Sequence, residues 1–117
     1  MYTFYEYPKC STCRKAKAEL DQLGLDVESI NIKENPPSAQ FLKELLVGSD
    51  LELKKFFNTS GQSYRSLGLK DKLPTLSFDE AVELLASDGM LIKRPILIKD
   101  GKVLQVGYRT PYQDLNL

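Results

Sequence analysis

The chain contains no histidine, no tryptophan and only two cysteines among its 117 residues. Without histidine, neither a Ser-His-Asp nor a Cys-His nucleophile system can be assembled within one chain. Two thiols supply only half of a tetrahedral zinc site, so no metal centre is expected. Sixteen basic residues are balanced by sixteen acidic ones. No net charge therefore draws the chain to nucleic acid or to an acidic membrane surface. No apolar run approaches the roughly 18 residues that span a bilayer. The opening "MYTFYEYPKC" lacks a charged n-region, an apolar h-region and a small-residue cleavage site. A cytoplasmic location is the expectation. Thiols there are kept reduced, which points to catalysis, sensing or metal binding rather than a permanent cross-link.

What is present reads as one α/β domain over residues 1–117. "YTFYE" at 2–6 is a β-prone run, and a short loop carrying Pro8 and Lys9 follows. Cys13, Ala16, Leu20 and Leu23 then recur at helical spacing, with Gly24 as the stop. "DVESINI" at 26–32 predicts a second strand with Ile30 and Ile32 on one face. The short connections argue for parallel pairing of these two strands. "SAQFLKELLV" predicts a helix over 38–47 with Phe41, Leu42, Leu45 and Leu46 inward and Gly48 at its end. The stretch 51–87 reads as helical, with Leu53, Phe56 and Phe57 clustered. "QSYRSL" is a short helix stopped by Gly68, and Ser77-x-x-Glu80 is a capping box ahead of inward-facing Ala81, Leu84 and Leu85. Asp100-Gly101 lies between two β-prone runs, the pattern of a type I′ hairpin. Thr110, Pro111 and Gln113 read as N-cap, first helical residue and box-closing residue of a C-terminal helix.

The chemistry-bearing feature is Cys10-Ser11-Thr12-Cys13, set between a strand and a helix. The free N–H groups of a helix N-terminus favour an anion, and a thiolate is one. Lys9 and Arg14 flank the pair and act in the same sense. Cys10 is therefore expected to be the exposed, ionised, attacking thiol, and Cys13 the thiol that resolves a mixed disulfide. The competing reading is two buried cysteines acting as small apolar residues. A second feature is "KRPILI" at 93–98, where Pro95 opens a strand and Arg94 precedes it. An X-Pro bond there can be cis and leave a backbone edge open to an extended partner, and Arg94 could hold an anion. An ordinary strand-entry proline beside a solvated arginine is the plainer alternative. Arg109 and Arg65 read as surface charges, and Phe4, Tyr5 and Tyr7 as core or rim residues.

"TFYEYPKCSTCRKAKAEL", "FFNTSGQSYRSLGL", "ELLASDGMLIKRPILI" and "VLQVGYR" together resemble the arsenate reductase (ArsC)–Spx family over nearly the whole chain. The resemblance implies a thioredoxin-like fold with a mixed four-stranded sheet, a helical insertion over about 36–88, and a cis proline at Pro95. Glutaredoxin-dependent arsenate reductases use one nucleophilic cysteine and a set of arginines for the oxyanion. Cys10 matches the nucleophile, Arg94 the arginine of the "RP" motif and Arg109 a later arginine. Asn58 stands where such reductases carry another arginine, which implies a weaker anion site. Arg14, Arg94, Pro95, Arg109 and Asn58 are thus the expected anion- or substrate-binding positions. Spx-like regulators carry the C-x-x-C as a redox switch and bind the C-terminal domain of the RNA polymerase α subunit. Their longer basic C-terminal segment has no counterpart in this sequence. The resemblance implies a monomeric thiol redox protein with no organic or metal cofactor. Glutathione, glutaredoxin or thioredoxin would be its reductant, and RNA polymerase, through its α subunit, is an alternative partner.

Overall fold

The computed structural model describes residues 1–115. Two compact units are distinguished: Met1–Asn31 together with Arg94–Leu117, and Ile32–Lys93. Among the described residues no helix is long and apolar enough to cross a membrane.

The first unit is built on a four-stranded sheet, with β1 at Tyr2–Glu6, β2 at Val27–Asn31, β3 at Ile96–Lys99 and β4 at Lys102–Val106. The spatial order is β2-β1-β3-β4. β1 pairs in parallel with β2, as expected, and antiparallel with β3, which pairs antiparallel with β4. The buried residues of the sheet lie on its two central strands. Phe4 and Tyr5 point to opposite sides of β1 and are both buried, as are Ile96, Leu97 and Ile98 in succession on β3. At the β3–β4 hairpin Asp100 (φ 50°) and Gly101 (φ 82°) both take positive φ, as a type I′ turn requires.

Helix α1, Ser11–Gln22, leaves the C-terminal end of β1. Its predicted stripe holds for Cys13, Ala16 and Leu20, each fully buried. Leu23 departs from it and is 40% exposed. It is the helix C-cap, and the chain turns away at Gly24 (φ 68°), whose N–H donates to the Asp21 carbonyl at 3.1 Å. Phe4, Ala16, Leu20, Leu97 and Tyr112 form one core cluster of the unit, flanked by Tyr2, Leu25, Val27, Leu104, Tyr108 and Leu115.

The chain past β4 corrects one expectation. Thr110 does not cap a helix: Tyr112–Asp114 is a single 3-10 turn with Pro111 in the cap position and no side-chain cap. The Gln105 side chain holds Thr110 from both sides, accepting its N–H at 3.0 Å and donating to its carbonyl at 3.0 Å. The turn's free N–H groups are satisfied instead by Glu19 of α1. Its carboxylate accepts from the N–H of Tyr112 at 2.6 Å, the N–H of Gln113 at 3.1 Å and the Tyr108 hydroxyl at 2.6 Å. A distant carboxylate does here what the local Thr110 hydroxyl was expected to do.

The second unit is helical. It contains α2 at Ala39–Val47, α3 at Gln62–Ser66, α4 at Leu69–Lys72 and α5 at Phe78–Ser87, with 3-10 turns at Leu53–Phe56, Leu73–Thr75 and Gly89–Leu91. Ser38 caps α2, and the capping box at α5 forms in full, Ser77 and Glu80 each taking the other's N–H. Leu42, Leu45 and Leu46 of α2 are buried, as are Ala81, Val82 and Leu85 of α5. Phe41, Leu53 and Leu84 are only half-buried. Val82, which spacing alone left out, takes the inward place expected of Leu84. Gly89 has space for no side chain, because a Cβ there would lie 1.9 Å from the Ile32 carbonyl oxygen.

Candidate functional site

The cysteine pair opens α1, and Cys10 itself is the N-cap, in extended conformation (φ −90°, ψ 119°). Its N–H donates to the Tyr7 carbonyl at 2.9 Å, closing the loop between β1 and α1. Its sulfur accepts the N–H of Cys13 at 3.4 Å, the contact a serine or aspartate makes at other helix starts. Cys10 is half-buried, Cys13 is fully buried, and both thiols are free. The positional expectation thus holds: the outer thiol caps the helix and the inner one lies in its first turn.

Electrostatics divides the two sulfurs. Partial burial alone would raise the Cys10 pKa. The hydrogen bonds of the Cys13 N–H and thiol, the Arg94 charge and the Thr12 N–H outweigh it, and the net direction is down. Cys13 goes the other way. Burial, together with its hydrogen bond to the Cys10 sulfur and the charge there, pushes it up to about 12, against a lowering from the Tyr7 N–H and Arg94. One site therefore holds a half-exposed thiol whose ionisation is favoured beside a buried one whose ionisation is opposed.

The charge behind this is not the one the sequence singled out. Lys9 and Arg14 are exposed and do not figure among the groups that set the Cys10 pKa. Arg14 instead sends Nη1 to the Pro8 carbonyl at 3.4 Å. Water screens charges so placed. Arg94 is half-buried, acts on both sulfurs, and has its guanidinium carbon 5.4 Å from the centre of the Tyr7 ring. The Arg94–Pro95 peptide is cis, and Pro95 is buried, its carbonyl accepting the Gly107 N–H at 2.8 Å.

Among the predicted positions, Cys10, Cys13 and Arg94 are brought together. Arg109 is exposed. Asn58 belongs to the helical unit, where it organises a turn: its N–H donates to the Leu91 carbonyl at 2.7 Å, its carbonyl accepts the Gly61 N–H at 3.0 Å, and its Oδ1 accepts the Ser60 hydroxyl at 3.3 Å. Tyr7 was not among the expected site residues. The available signal was its place three residues before Cys10, where the chain leaves β1. Among the described residues no group of three or more metal-ligating side chains is assembled.

The ArsC family model matches residues 5–112, which takes in both cysteines, Arg94 and Pro95. The chain belongs to the ArsC family. YusI of Bacillus subtilis, an uncharacterized protein, is 59% identical over 107 residues, covering 92% of this chain and 90% of YusI. The global transcriptional regulator Spx of Lactiplantibacillus plantarum is 32% identical over 108 residues, covering 92% of this chain and 80% of the regulator. The crystal structure of a possible arsenate reductase from Streptococcus mutans superposes with a TM-score of 0.97 at 69% identity, covering 100% of this chain and 98% of that one. The architecture is therefore the thioredoxin-like α/β fold of ArsC proteins, with its mixed four-stranded sheet.

Proposed function

We propose that this ArsC-family chain is a thiol–disulfide redox protein in which Cys10 attacks and Cys13 resolves. The observation that carries this is the division between the sulfurs. One caps the helix, is reachable and favours the thiolate; the other is sealed, protonated and hydrogen-bonded to the first.

In the first step the Cys10 thiolate attacks one sulfur of a substrate disulfide. A Cys10 mixed disulfide forms, and the other substrate sulfur departs as a thiolate. The ionic charge on Cys10 is then gone, which removes one of the influences that hold Cys13 protonated. Cys13 gives its proton to the departing thiolate or to water and attacks Cys10 Sγ, expelling the second substrate thiolate. The substrate gains two electrons and the protein retains a Cys10–Cys13 disulfide. A cellular dithiol, or glutathione with glutaredoxin or thioredoxin, reverses the exchange. Arg94 steadies the thiolate and orients an anionic partner, with exposed Arg14 and Arg109 as outlying positive charges. Pro95 presents the open backbone edge. A weak arsenate reductase activity linked to glutathione or glutaredoxin is a subsidiary reading, supported by the likeness to the Streptococcus mutans protein.

Trapping tests this directly. With a small disulfide in excess, Cys13→Ser accumulates a mixed disulfide on Cys10, while Cys10→Ser accumulates none on Cys13. Equal modification of both variants contradicts the assignment. The chain is also similar to Spx, which supports a second reading: a redox-sensing regulator that binds RNA polymerase through the C-terminal domain of its α chain. Co-purification with that domain in both redox states tests it, and absence of binding in both rejects it.

A further inference from the structure

Tyr7 meets Cys10, Cys13 and Arg94. Its carbonyl accepts the Cys10 N–H at 2.9 Å, and its own N–H is directed at the Cys13 sulfur. Its ring lies under the guanidinium of Arg94, 5.4 Å from ring centre to Cζ. The main chain of Tyr7 is thus tied to both cysteines while its ring meets Arg94, a cation that acts on both sulfurs.

We propose that Tyr7 is a positioning residue, an aromatic shelf whose ring face holds the Arg94 guanidinium where its charge bears on Cys10 Sγ. An arginine side chain has considerable rotamer freedom, and a charge acts on its neighbour only while it stays near. The negative face of a phenol ring attracts a guanidinium and so limits its excursions. Tyr7 itself is tied down by its main-chain bonds to the cysteine loop, so the shelf is fixed relative to the sulfur. The ring face does the holding.

The inference extends the exchange reading, but its test reads the resting thiol and needs no turnover. The measurement is the pH dependence of Cys10 alkylation by iodoacetamide, resolved by mass on the Cys10 peptide. Tyr7→Leu is expected to raise the ionisation midpoint, leaving about two- to five-fold less thiolate at neutral pH, the equivalent of an exposed cation–π contact. Tyr7→Phe retains the wild-type midpoint. In an Arg94→Leu background the Tyr7→Leu effect vanishes, because the shelf has nothing to hold. Tyr7→Met repeats the comparison if Tyr7→Leu does not fold. An unchanged midpoint in Tyr7→Leu, an effect that persists without Arg94, or failure of Tyr7→Phe to preserve the midpoint each overturns the proposal. The Cys13→Ser trapping experiment is independent of all three, so failure of the shelf and failure of the exchange mechanism are told apart.

Discussion

The main-chain N–H of Cys13 donates to the sulfur of Cys10 at 3.4 Å, so the outer thiol is supported by the backbone of the inner one. A backbone donor survives a side-chain substitution. Cys13→Ser is therefore expected to keep the Cys10 pKa below the ordinary thiol range. Arg94→Leu removes a charge that lowers it and is expected to raise the midpoint, leaving about two- to ten-fold less thiolate at neutral pH. Alkylation rate against pH checks both variants. A Cys13→Ser midpoint as high as that of a free thiol would show that the amide contact contributes nothing.

Glu19 ties α1 to the chain after β4 through three bonds, from the Tyr108 hydroxyl and the Tyr112 and Gln113 N–H groups. Partial burial opposes its ionisation, but these donors outweigh it and lower its pKa. A carboxylate lowered on folding contributes stability above its unfolded pKa, and that contribution is lost as pH falls through the folded value. Tyr108 is raised to about 12, by burial first and then by its bond to Glu19. Its contribution is full below the ordinary tyrosine value of about 10 and is lost as pH rises toward its folded value. Glu19→Gln is expected to cost about 1–3 kcal/mol, through weaker and partly unmade bonds to the two N–H groups, and to flatten the acid limb. Urea unfolding at a series of pH values measures both effects.

Ser77 and Thr110 carry the same kind of start signal, yet only Ser77 caps a helix. Ser77→Ala is expected to cost about 1 kcal/mol, the usual loss for an N-cap. Thr110→Ala is expected to cost a few tenths at most, because the contacts holding Thr110 are made by its own main chain. Denaturation midpoints of the two variants check the contrast. Equal losses would contradict it.

Gly89→Ala places a methyl group 1.9 Å from the Ile32 carbonyl oxygen, a backbone atom that no rotamer change can move aside. A loss of about 3 kcal/mol or more is expected, at the upper end for overpacking. Gly24→Ala meets nothing within 4 Å and strains only its positive φ. It is expected to cost about 1 kcal/mol. Thermal unfolding of the two alanine variants gives the ranking, and a smaller loss at Gly89 than at Gly24 would be inconsistent with this packing.

These contrasts show what was legible in the sequence. Signals that act within one turn of chain were readable: the Ser77–Glu80 box, the positive-φ pair Asp100-Gly101, the stripe Cys13–Ala16–Leu20, and Cys10 at the mouth of a helix. The box, the turn and the helix mouth are satisfied by residues no more than a few positions away, and the stripe follows from the period of a single helix. What escaped depends on partners far along the chain. The carboxylate that caps the last turn is Glu19, more than ninety residues before Tyr112. The charge acting on Cys10 comes from Arg94, and Lys9 and Arg14, adjacent in sequence, are turned out into water. Leu23 fits the helical period but lies where the helix has already ended. Periodicity cannot register such an ending to the residue, because the turn at Gly24 and not the spacing determines it.

A redox titration resolved by mass reads the Cys10–Cys13 pair without any assumed substrate. The wild-type protein is equilibrated in glutathione buffers of graded potential, quenched with acid and weighed intact. The account predicts one two-electron transition, from the dithiol to a Cys10–Cys13 disulfide lighter by two hydrogens, with no lasting glutathione adduct. The Cys13→Ser variant should stop at a glutathione adduct on Cys10. A wild-type protein that stays a dithiol throughout, or that keeps glutathione on Cys10 while Cys13 remains free, would contradict it.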